Sequence, residues 1–536
     1  MTKKEIEINC RAIDDFGKGI FDYEGKTYFV DDLLPDEKAI VETTFSFGKI
    51  KETKVIKRLS DSKYRVEPLC KYYHKCGGCQ LQHLNYQKQL EYKKEKVKNL
   101  IKKFASLDVV VSDCIKVDDP FYFRNKIQMP LRKERGKIVA GFYRQGTHEL
   151  VKIDKCIIED KKAEKIIKDV LSVMNEFHLD IYDEDKRKGV FRHLLLKTSS
   201  YYDECLLTFV VSDLNVKGRT NFAKKLVEKS PSIKGVIFNL NKRDTNVILG
   251  EKEEVIYGKS RIKDRIFDLD FLISSKSFYQ TNFKQIENLY KTAIENSSLS
   301  KDDVVLDAYC GTGTISLSLA RKVKKVIGVE IVKEAVIDAR KNASLNKIEN
   351  AFFINDDCTS YMERNDEKFS VVLLDPPRKG ATLSFIKNVF KIKPQKVIYI
   401  SCDPVTLARD LNIFKENYTV NKVIPVDMFP HSLHVETIVS LAQRHIKNSV
   451  LVSFTSDELP ITPTEASATN QEIQKFIYEK HKIKVSTLDI AQVKEELGIK
   501  KRESYNKPKS DKYEQPKVTE EKKTLIKEAL KEFKML

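Results

Sequence analysis

The stretch VVLDAYCGTGT, residues 304–314, decides the fold class of this chain. It begins as a buried strand of apolar residues, reaches an acidic residue at Asp307, and then turns through small residues. Gly311 and Gly313 let the backbone pass close to a ligand at positions where a Cβ atom would clash. No third glycine follows at the spacing of the dinucleotide motif G-x-G-x-x-G, so the turn indicates a different nucleotide-type ligand.

The sequence around this stretch, from residue 271 to 445, alternates β-branched strands with helical segments. The strand-like segments are KVIGVEI, FSVVLLDPPRKG, KVIYISCDP and ETIVSLA. This rhythm is typical of an α/β sheet whose two faces are covered by helices. Because open sheets of this kind bind ligands at the carboxyl ends of their strands, we expect the functional site at that edge.

An acidic residue also ends the second strand of this region. Glu330 follows VIGV, 23 residues after Asp307, and a carboxylate in this place can accept hydrogen bonds from both hydroxyls of a ribose. Taken alone, D-x-x-C-G-x-G could be only a tight strand–helix turn. Combined with Glu330 and the later DPPR at 375–378, it resembles the class I S-adenosylmethionine-dependent methyltransferases, which have a Rossmann-like fold.

A cysteine ends another predicted core strand, KVIYIS, at Cys402. Asp403 and Pro404 follow it and begin a predicted helix, with proline at its favoured first position. The helix dipole would favour a Cys402 thiolate, whereas the Asp403 charge would oppose it. The ordinary alternative is that Cys402 is a small buried apolar residue.

A methyl donor, a thiolate and an acid near one pocket indicate a specific chemistry. The C5 carbon of uracil is too weak a nucleophile to attack a sulfonium methyl group, but a thiolate that adds at C6 makes C5 enolate-like. A base must then remove the C5 proton. Glu436, 34 residues after Cys402 and just before an apolar strand, is the candidate base. His431 and His434 are alternatives, and spacing alone does not choose among the three.

Together these motifs resemble the bacterial RNA uridine C5-methyltransferases. The resemblance is strongest to the 23S rRNA enzymes, which join an amino-terminal TRAM domain, an iron–sulfur-bearing central domain and a methyltransferase domain. It covers about residues 1–445. It rests on C-x5-C-x2-C, SFYQTN (277–282), LDAYCGTGT, LLDPPR, YISCDP and HVET.

The resemblance carries residue roles that spacing does not give. It matches Cys402 to the nucleophile and Glu436 to the general base, in preference to the histidines. It also matches six positions to contacts with S-adenosylmethionine: Gln280, Tyr309, Glu330, Asp375, Thr314 and Asp356. The sequence around the last two departs from the common pattern of the family.

A cluster of three cysteines, Cys70, Cys76 and Cys79, lies within ten residues. From the residues alone, a zinc site with a fourth ligand is the general interpretation. The spacing differs from C-x3-C-x2-C, which disfavours radical generation. The family resemblance assigns these three cysteines, together with Cys156, to a [4Fe–4S] cluster. Because four cysteines would leave no iron open to substrate, we expect it to have a structural or RNA-positioning role. The other five cysteines have no assigned function.

The remaining sequence predicts the domain organisation. Residues 1–60 read as an OB-like β-barrel of about five strands that resembles a TRAM domain, and FGKGIFDYEGKTYF within it interleaves aromatic and basic residues. Residues 61–270 read as a mixed α+β central domain. Residues 446–536 are predicted to be a linker and helical extension of unknown role. The predicted RNA-facing cations of the central domain are Arg124, Lys126, Arg132, Lys133 and Arg192.

One helix of the central region, residues 88–103, carries seven lysines against two glutamates. It could bind phosphates, present a solvated face, or pack on the catalytic domain.

Composition sets the broad class. Lysine and arginine exceed aspartate and glutamate by 18 in 536 residues, which favours a polyanionic partner, although a lysine-rich proteome would give the same excess. Ten cysteines without an apolar h-region in MTKKEIEINC indicate intracellular thiols or metal ligands. We therefore expect a cytoplasmic, monomeric protein with no membrane association.

The sequence thus predicts S-adenosylmethionine-dependent C5 methylation of uridine in 23S rRNA. The first alternative is the same chemistry on the T-loop uridine of tRNA, against which the amino-terminal barrel argues. An exocyclic-amine methyltransferase would use [DN]-P-P-[YFW], but Arg378 follows DPP here, and Cys402 would have no purpose. The last alternative, a non-catalytic RNA-binding or iron-sensing protein, is disfavoured by the intact Cys402 and Glu436.

Overall fold

The computed structural model describes residues 2–46, 49–243, 247–444, 470–481, 483, 485–497 and 518–533. The chain divides into two compact units, Met1–His445 and Ile446–Leu536. None of the helices in these described ranges combines the length and the apolar character that a membrane crossing requires.

The amino-terminal part of the first unit consists of two antiparallel sheets of three strands each, in the orders β1-β5-β6 and β2-β3-β4. Alternate residues such as Ile6, Ile8 and Phe21 point into a shared core. This arrangement agrees with the predicted barrel-like domain, although its described residues form six strands rather than five. The strands are β1 (Thr2–Asn9), β2 (Ala12–Ile13), β3 (Gly19–Tyr23), β4 (Lys26–Val30), β5 (Lys38–Ser46) and β6 (Lys49–Arg58).

A long helix, α1 (Tyr86–Ala105), follows the cysteine-rich segment. Asn85 caps its amino terminus, because the Asn85 side chain accepts a hydrogen bond from the Lys88 N–H at 2.9 Å. The helix ends at Ser106, which adopts the left-handed conformation.

The middle of the chain forms a seven-stranded sheet in the order β13-β12-β11-β10-β7-β8-β9, in which only the β11–β12 pair is parallel. Two helices pack over a core that includes Val170, Phe209 and Phe222. These elements are β7 (Lys126–Glu134), β8 (Lys137–Tyr143), β9 (Leu150–Lys152), α2 (Lys161–Glu176), β10 (Phe191–Thr198), β11 (Cys205–Val211), α3 (Arg219–Lys229), β12 (Ile233–Leu240) and β13 (Lys252–Gly258). A separate hairpin follows, β14 (Arg261–Ile266) and β15 (Leu269–Ser274).

A second seven-stranded sheet holds the predicted site, in the order β18-β17-β16-β19-β20-β22-β21. Its first five strands are parallel, and the strand order reverses between β16 and β19, where ligands of open sheets bind. Its elements are α4 (Ile286–Asn296), β16 (Val304–Ala308), α5 (Thr314–Ala320), β17 (Lys325–Glu330), α6 (Lys333–Leu345), β18 (Ala351–Asn355), α7 (Cys358–Arg364), β19 (Val371–Leu374), α8 (Leu383–Ile392), β20 (Lys396–Ser401), α9 (Pro404–Phe414), β21 (Tyr418–Val426) and β22 (Glu436–Gln443).

Segments that precede residue 271 complete this second sheet. Val97 and Ile101 of α1 belong to the same buried cluster as Leu407 and Leu411 of α9. After α1, residues 111 and 115 make parallel bridges to residues 423 and 426 of β21. The catalytic fold therefore draws on chain outside the predicted boundaries 271–445.

The described residues of the second unit form three helices, α10 (Asn470–His481), α11 (Thr487–Glu496) and α12 (Glu520–Glu532). They bury a common apolar cluster that includes Ile473, Ile477, Ile490, Ile526 and Leu530. The second unit therefore has a core of its own.

Candidate active site

A cavity of about 770 Å³ opens at the carboxyl edge of the catalytic sheet. Its walls come from the loops that follow β16, β17, β18, β19 and β20, and from the start of β22. Seven predicted site residues line it: Gln280, Tyr309, Glu330, Asp356, Asp375, Cys402 and Glu436.

The glycine turn after β16 is tied to the end of β17. The Gly311 N–H donates to Glu330 Oε2 at 3.2 Å, and the Val332 N–H donates to Oε1 at 2.8 Å. Tyr309 has φ +66°, a strained backbone angle for a residue with a side chain. Its ring packs against Phe385, with ring centroids 5.7 Å apart, and forms part of the cavity wall. The turn therefore holds Glu330 and Tyr309 in fixed positions.

Thr314, a predicted cofactor contact, does not line this cavity. It is the first residue of α5, and its hydroxyl is 2.8 Å from the Tyr290 hydroxyl in a buried hydrogen bond. Asp307 is also buried behind the turn, where the Ser316 hydroxyl donates to it. Burial raises the pKa of Asp307 to about 7. Thr314 and Asp307 therefore pack beneath the glycine turn, on the side away from the cavity.

Two other acidic residues extend the lining. Asp356 follows β18, forms an ion pair with Arg364, and its backbone N–H donates to the Glu330 carbonyl at 3.1 Å. Asp375 follows β19 and lines the cavity in a half-buried position, and desolvation raises its pKa to about 7. Three carboxyl groups, those of Glu330, Asp356 and Asp375, thus line the cavity.

The Cys402 thiol lies at the end of β20, as predicted, but its environment opposes the thiolate. Asp403 caps α9 by accepting hydrogen bonds from the N–H groups of Val405 (2.9 Å) and Thr406 (3.3 Å). Burial, followed by the charges of Glu436 and Asp375, raises the pKa of Cys402 to about 12. In the free chain, burial and these charges therefore outweigh the predicted effect of the helix dipole on the Cys402 thiol.

The candidate bases differ in position. Glu436 is 4% exposed and lines the cavity, and its Oε2 atom has no hydrogen-bond partner in the described part of the chain. Burial and the Asp375 charge raise the pKa of Glu436 well above its usual range, whereas Arg378 lowers it. His434 also lines the cavity, and burial lowers its pKa to about 4. His431 lies outside the lining and stacks on Phe121 with ring centroids 4.6 Å apart.

The loop that carries Gln280 is held by the central domain. The Lys197 ammonium group donates to the carbonyls of Ser274 and Ser277, both at 2.7 Å. Asn125 Nδ2 donates to the Gln280 carbonyl at 3.2 Å. Lys197 and Asn125 were not predicted to have this role. Lys197, for example, looks like an ordinary strand lysine in FRHLLLKT.

The four predicted metal-ligating cysteines, Cys70, Cys76, Cys79 and Cys156, line a second cavity of about 340 Å³. Within the described ranges, no three His, Cys, Asp or Glu side chains are grouped to hold a metal ion. Burial raises the pKa of Cys79 to about 12 and that of Cys156 well above the usual range.

The wall between the two cavities is shared. Gly78, Arg124, Ile158 and Thr281 line both of them. The cysteine loop is therefore adjacent to the candidate active site.

The predicted RNA-facing cations have different roles. Arg132 and Lys133 line a groove of about 1050 Å³ on the central domain. Arg192 also lines it, but its guanidinium binds Glu184 at 2.9 Å and donates to the carbonyls of Asn241 and Arg243. Arg192 is thus mainly engaged within the protein. Lys126 instead lines the cysteine cavity, where burial lowers its pKa.

Comparisons with known proteins agree with this geometry. An uncharacterized RNA methyltransferase of Clostridium acetobutylicum is 42% identical over 440 residues, which is 80% of this chain and 95% of the relative. One from Oceanobacillus iheyensis is 39% identical over 453 residues, 82% of this chain and 97% of the relative.

Among solved structures, the chain is similar to the Pyrococcus abyssi tRNA (uracil-54, C5)-methyltransferase in complex with S-adenosyl-L-homocysteine. The TM-score is 0.65 at 27% identity, and the match covers 82% of this chain and 100% of that one. The predicted methyltransferase fold and RNA uracil-C5-methyltransferase family are confirmed. A family model described as tRNA (uracil-5-)-methyltransferase matches residues 85–444, and the chain belongs to this family.

Proposed function

We propose that this enzyme transfers a methyl group from S-adenosylmethionine to C5 of a uridine in 23S rRNA. The observation that carries the proposal is the common cavity of Cys402 and Glu436, which Glu330 and Asp356 also line. Family membership supports the reaction, and the barrel-like amino-terminal domain supports rRNA. The solved relative acts on tRNA by its title, so the T-loop uridine of tRNA is the second candidate.

The roles follow from position. Glu330, Asp356, Gln280 and Tyr309 would hold S-adenosylmethionine, which supplies an electrophilic methyl group. Cys402 Sγ bonds to C6 of uracil while the C5–C6 π electrons move toward C5 and give the enolate. The thiol proton passes to water as that bond forms, because the raised pKa of Cys402 disfavours a free thiolate.

The C5 enolate then takes the methyl group, as the bond between that group and the donor sulfur breaks. The Arg378 guanidinium lies on the same cavity wall and offsets the negative charge. Glu436 removes the C5 proton, and the Sγ–C6 bond breaks to release 5-methyluridine.

The test is replacement of Cys402 by Ala. Methyl transfer should be lost while S-adenosylhomocysteine still binds. RNA with 5-fluorouridine at the target should form a stable covalent complex with the wild type only, since fluorine cannot leave as a proton. A methylating Cys402→Ala enzyme contradicts the mechanism. Mass-spectrometric mapping of 5-methyluridine in rRNA and tRNA from a deletion strain decides between the two substrates.

A [4Fe–4S] cluster is proposed for the cysteine cavity. The donor set supports it, because four cysteines line one cavity and thiolates are the ligands that such clusters take. Among the residues that the structure describes, the buried Gln82 Nε2 and Glu159 Oε1 atoms have no hydrogen-bond partner, which suits a polar group in this cavity. Cys70, Cys76, Cys79 and Cys156 would hold the cluster and fix the shared wall that Arg124 forms.

A further inference from the structure

A rigid loop of the barrel-like domain presents an exposed aromatic side chain. Asp14 Oδ1 accepts hydrogen bonds from the N–H groups of Phe16 (2.9 Å) and Lys18 (2.8 Å), and the Asp14 N–H donates to the Lys18 carbonyl at 2.8 Å. Gly17 has φ +78°, as this tight turn requires. Phe16 at its tip is 74% exposed. The backbone is fixed, so the ring is presented at little entropic cost.

This loop is attached to the loop that leads to the catalytic base. A Cβ atom on Gly17 would lie 2.8 Å from Leu433 Cδ2, so the two loops are in close contact. Lys96 Nζ on α1 donates to the Asp15 carbonyl at 2.8 Å and to the Leu433 carbonyl at 3.2 Å. The next residue, His434, lines the candidate active site. The loop tip is therefore near the mouth of that site.

The position of Phe16 suits an enzyme that extrudes its target base. A uridine that enters the cavity must leave its stack, and its neighbour then loses a stacking partner. Aromatic side chains replace such partners, with an energy that does not depend strongly on which base stacks.

We propose that Phe16 is the stacking platform for the RNA base next to the target uridine. Lys96 holds the loop that carries Phe16 against the loop that contains Leu433 and leads to Glu436. The proposal rests on the RNA-methylating function above. It assigns to the barrel a specific contact beside the reacting base.

The test compares Phe16→Ala with Phe16→Trp, and uses Phe29→Ala as the control, since Phe29 on β4 is also exposed, at 47%. Phe16→Ala should raise KM for RNA by about 5- to 160-fold, which corresponds to the loss of one stacked base. The value of kcat at saturating RNA and the affinity for S-adenosylhomocysteine should stay unchanged. Phe16→Trp should restore KM, and Phe29→Ala should leave it near the wild-type value.

Three results would overturn the proposal: an unchanged KM in Phe16→Ala, an equal rise in Phe29→Ala, or an effect on ribosomal particles but not on protein-free RNA. The last would indicate a protein contact. Lys96→Met should raise KM for RNA in the same direction, and an unchanged KM would remove Lys96 from the proposal. If the wild type makes no 5-methyluridine at all, the proposed function fails rather than this contact.

Discussion

Lys93 and Asp427 form an ion pair with an Nζ–Oδ1 distance of 2.5 Å, and both side chains are fully buried. The Tyr86 hydroxyl also donates to Asp427, at 2.8 Å, and Lys93 donates to the Phe429 carbonyl at 2.8 Å. The pair thus joins α1 to the loop that leads from β21 to Glu436. The lysine-rich helix fixes the catalytic loop through a buried charge.

Replacing Lys93 by Met should destabilise the protein by about 3–5 kcal/mol, because Asp427 is left as a buried charge without its partner. Chemical denaturation measures this change. The double variant Lys93→Met/Asp427→Asn should recover most of the loss, since no charge remains buried and the new amide oxygen would still accept from Tyr86. If the single and double variants are equally stable, the ion pair does not hold the loop.

The pH dependence of methyl transfer should follow the protonation of Glu436. Burial and the Asp375 charge raise its pKa, so the acid stays protonated above the range of an ordinary glutamate. Methyl transfer should therefore fall as pH decreases through this raised pKa. Because Arg378 lowers the pKa of Glu436, Arg378→Gln should move the acid limb of kcat to higher pH.

Two variants control that experiment. Arg378→Lys keeps the charge and should leave the limb near its original position. Glu436→Gln should accumulate the methylated Cys402–RNA adduct, because the C5 proton cannot be removed. Two results together would show that another residue is the base: an acid limb of kcat that stays at the same pH in Arg378→Gln, and normal turnover by Glu436→Gln.

Lys197 should control cofactor affinity from the central domain. In Lys197→Met the carbonyls of Ser274 and Ser277 lose their donor, and the loop that carries Gln280 loosens. We expect about a tenfold weaker Kd for S-adenosylhomocysteine by calorimetry, in line with the loss of hydrogen bonds to a charged donor. Lys137→Met on β8, where the side chain is exposed, is the control. Equal affinity in the two variants would contradict this role.

The lowered pKa of Lys197 also predicts how the stability of the protein changes with pH. Burial lowers its pKa from 10.5 to about 7, so the unfolded chain binds the proton more tightly than the folded chain between these values. The free energy of unfolding should rise with pH across that window. Lys197→Met should show a smaller rise when unfolding is measured at several pH values.

Anaerobically purified protein should be brown and contain about four irons per chain. Cys79→Ser and Cys156→Ser should each lower the iron content, and Cys114→Ser, in a buried cysteine outside this cavity, should not. Iron and zinc analysis checks this outcome. A colourless protein that contains zinc and is fully active would contradict the cluster.

The groups that follow strand ends could be predicted from the sequence, because β-strands and glycine turns are encoded locally. Cys402, Glu330 and Asp375 are therefore found at one edge of the sheet. Spacing does not give the direction of a side chain inside a helical turn. Thr314, in the first turn of α5, faces Tyr290 for this reason.

Long-range partners could not be predicted. Lys93 reads as one of seven lysines in residues 88–103, and its ion-pair partner Asp427 is 334 residues away. By contrast, the start of α9 at Asp403 and Pro404 could be predicted, because proline at the first helical position is a local signal.

The contact of α1 with α9 also constrains how the protein is made. During synthesis, the apolar face of α1 leaves the ribosome long before its partner exists, since Lys415 at the end of α9 bonds to the Ala105 carbonyl 310 residues earlier. Pairings this distant form slowly and leave apolar surface open in the meantime. The nascent chain therefore exposes the apolar face of α1 until α9 has been synthesised.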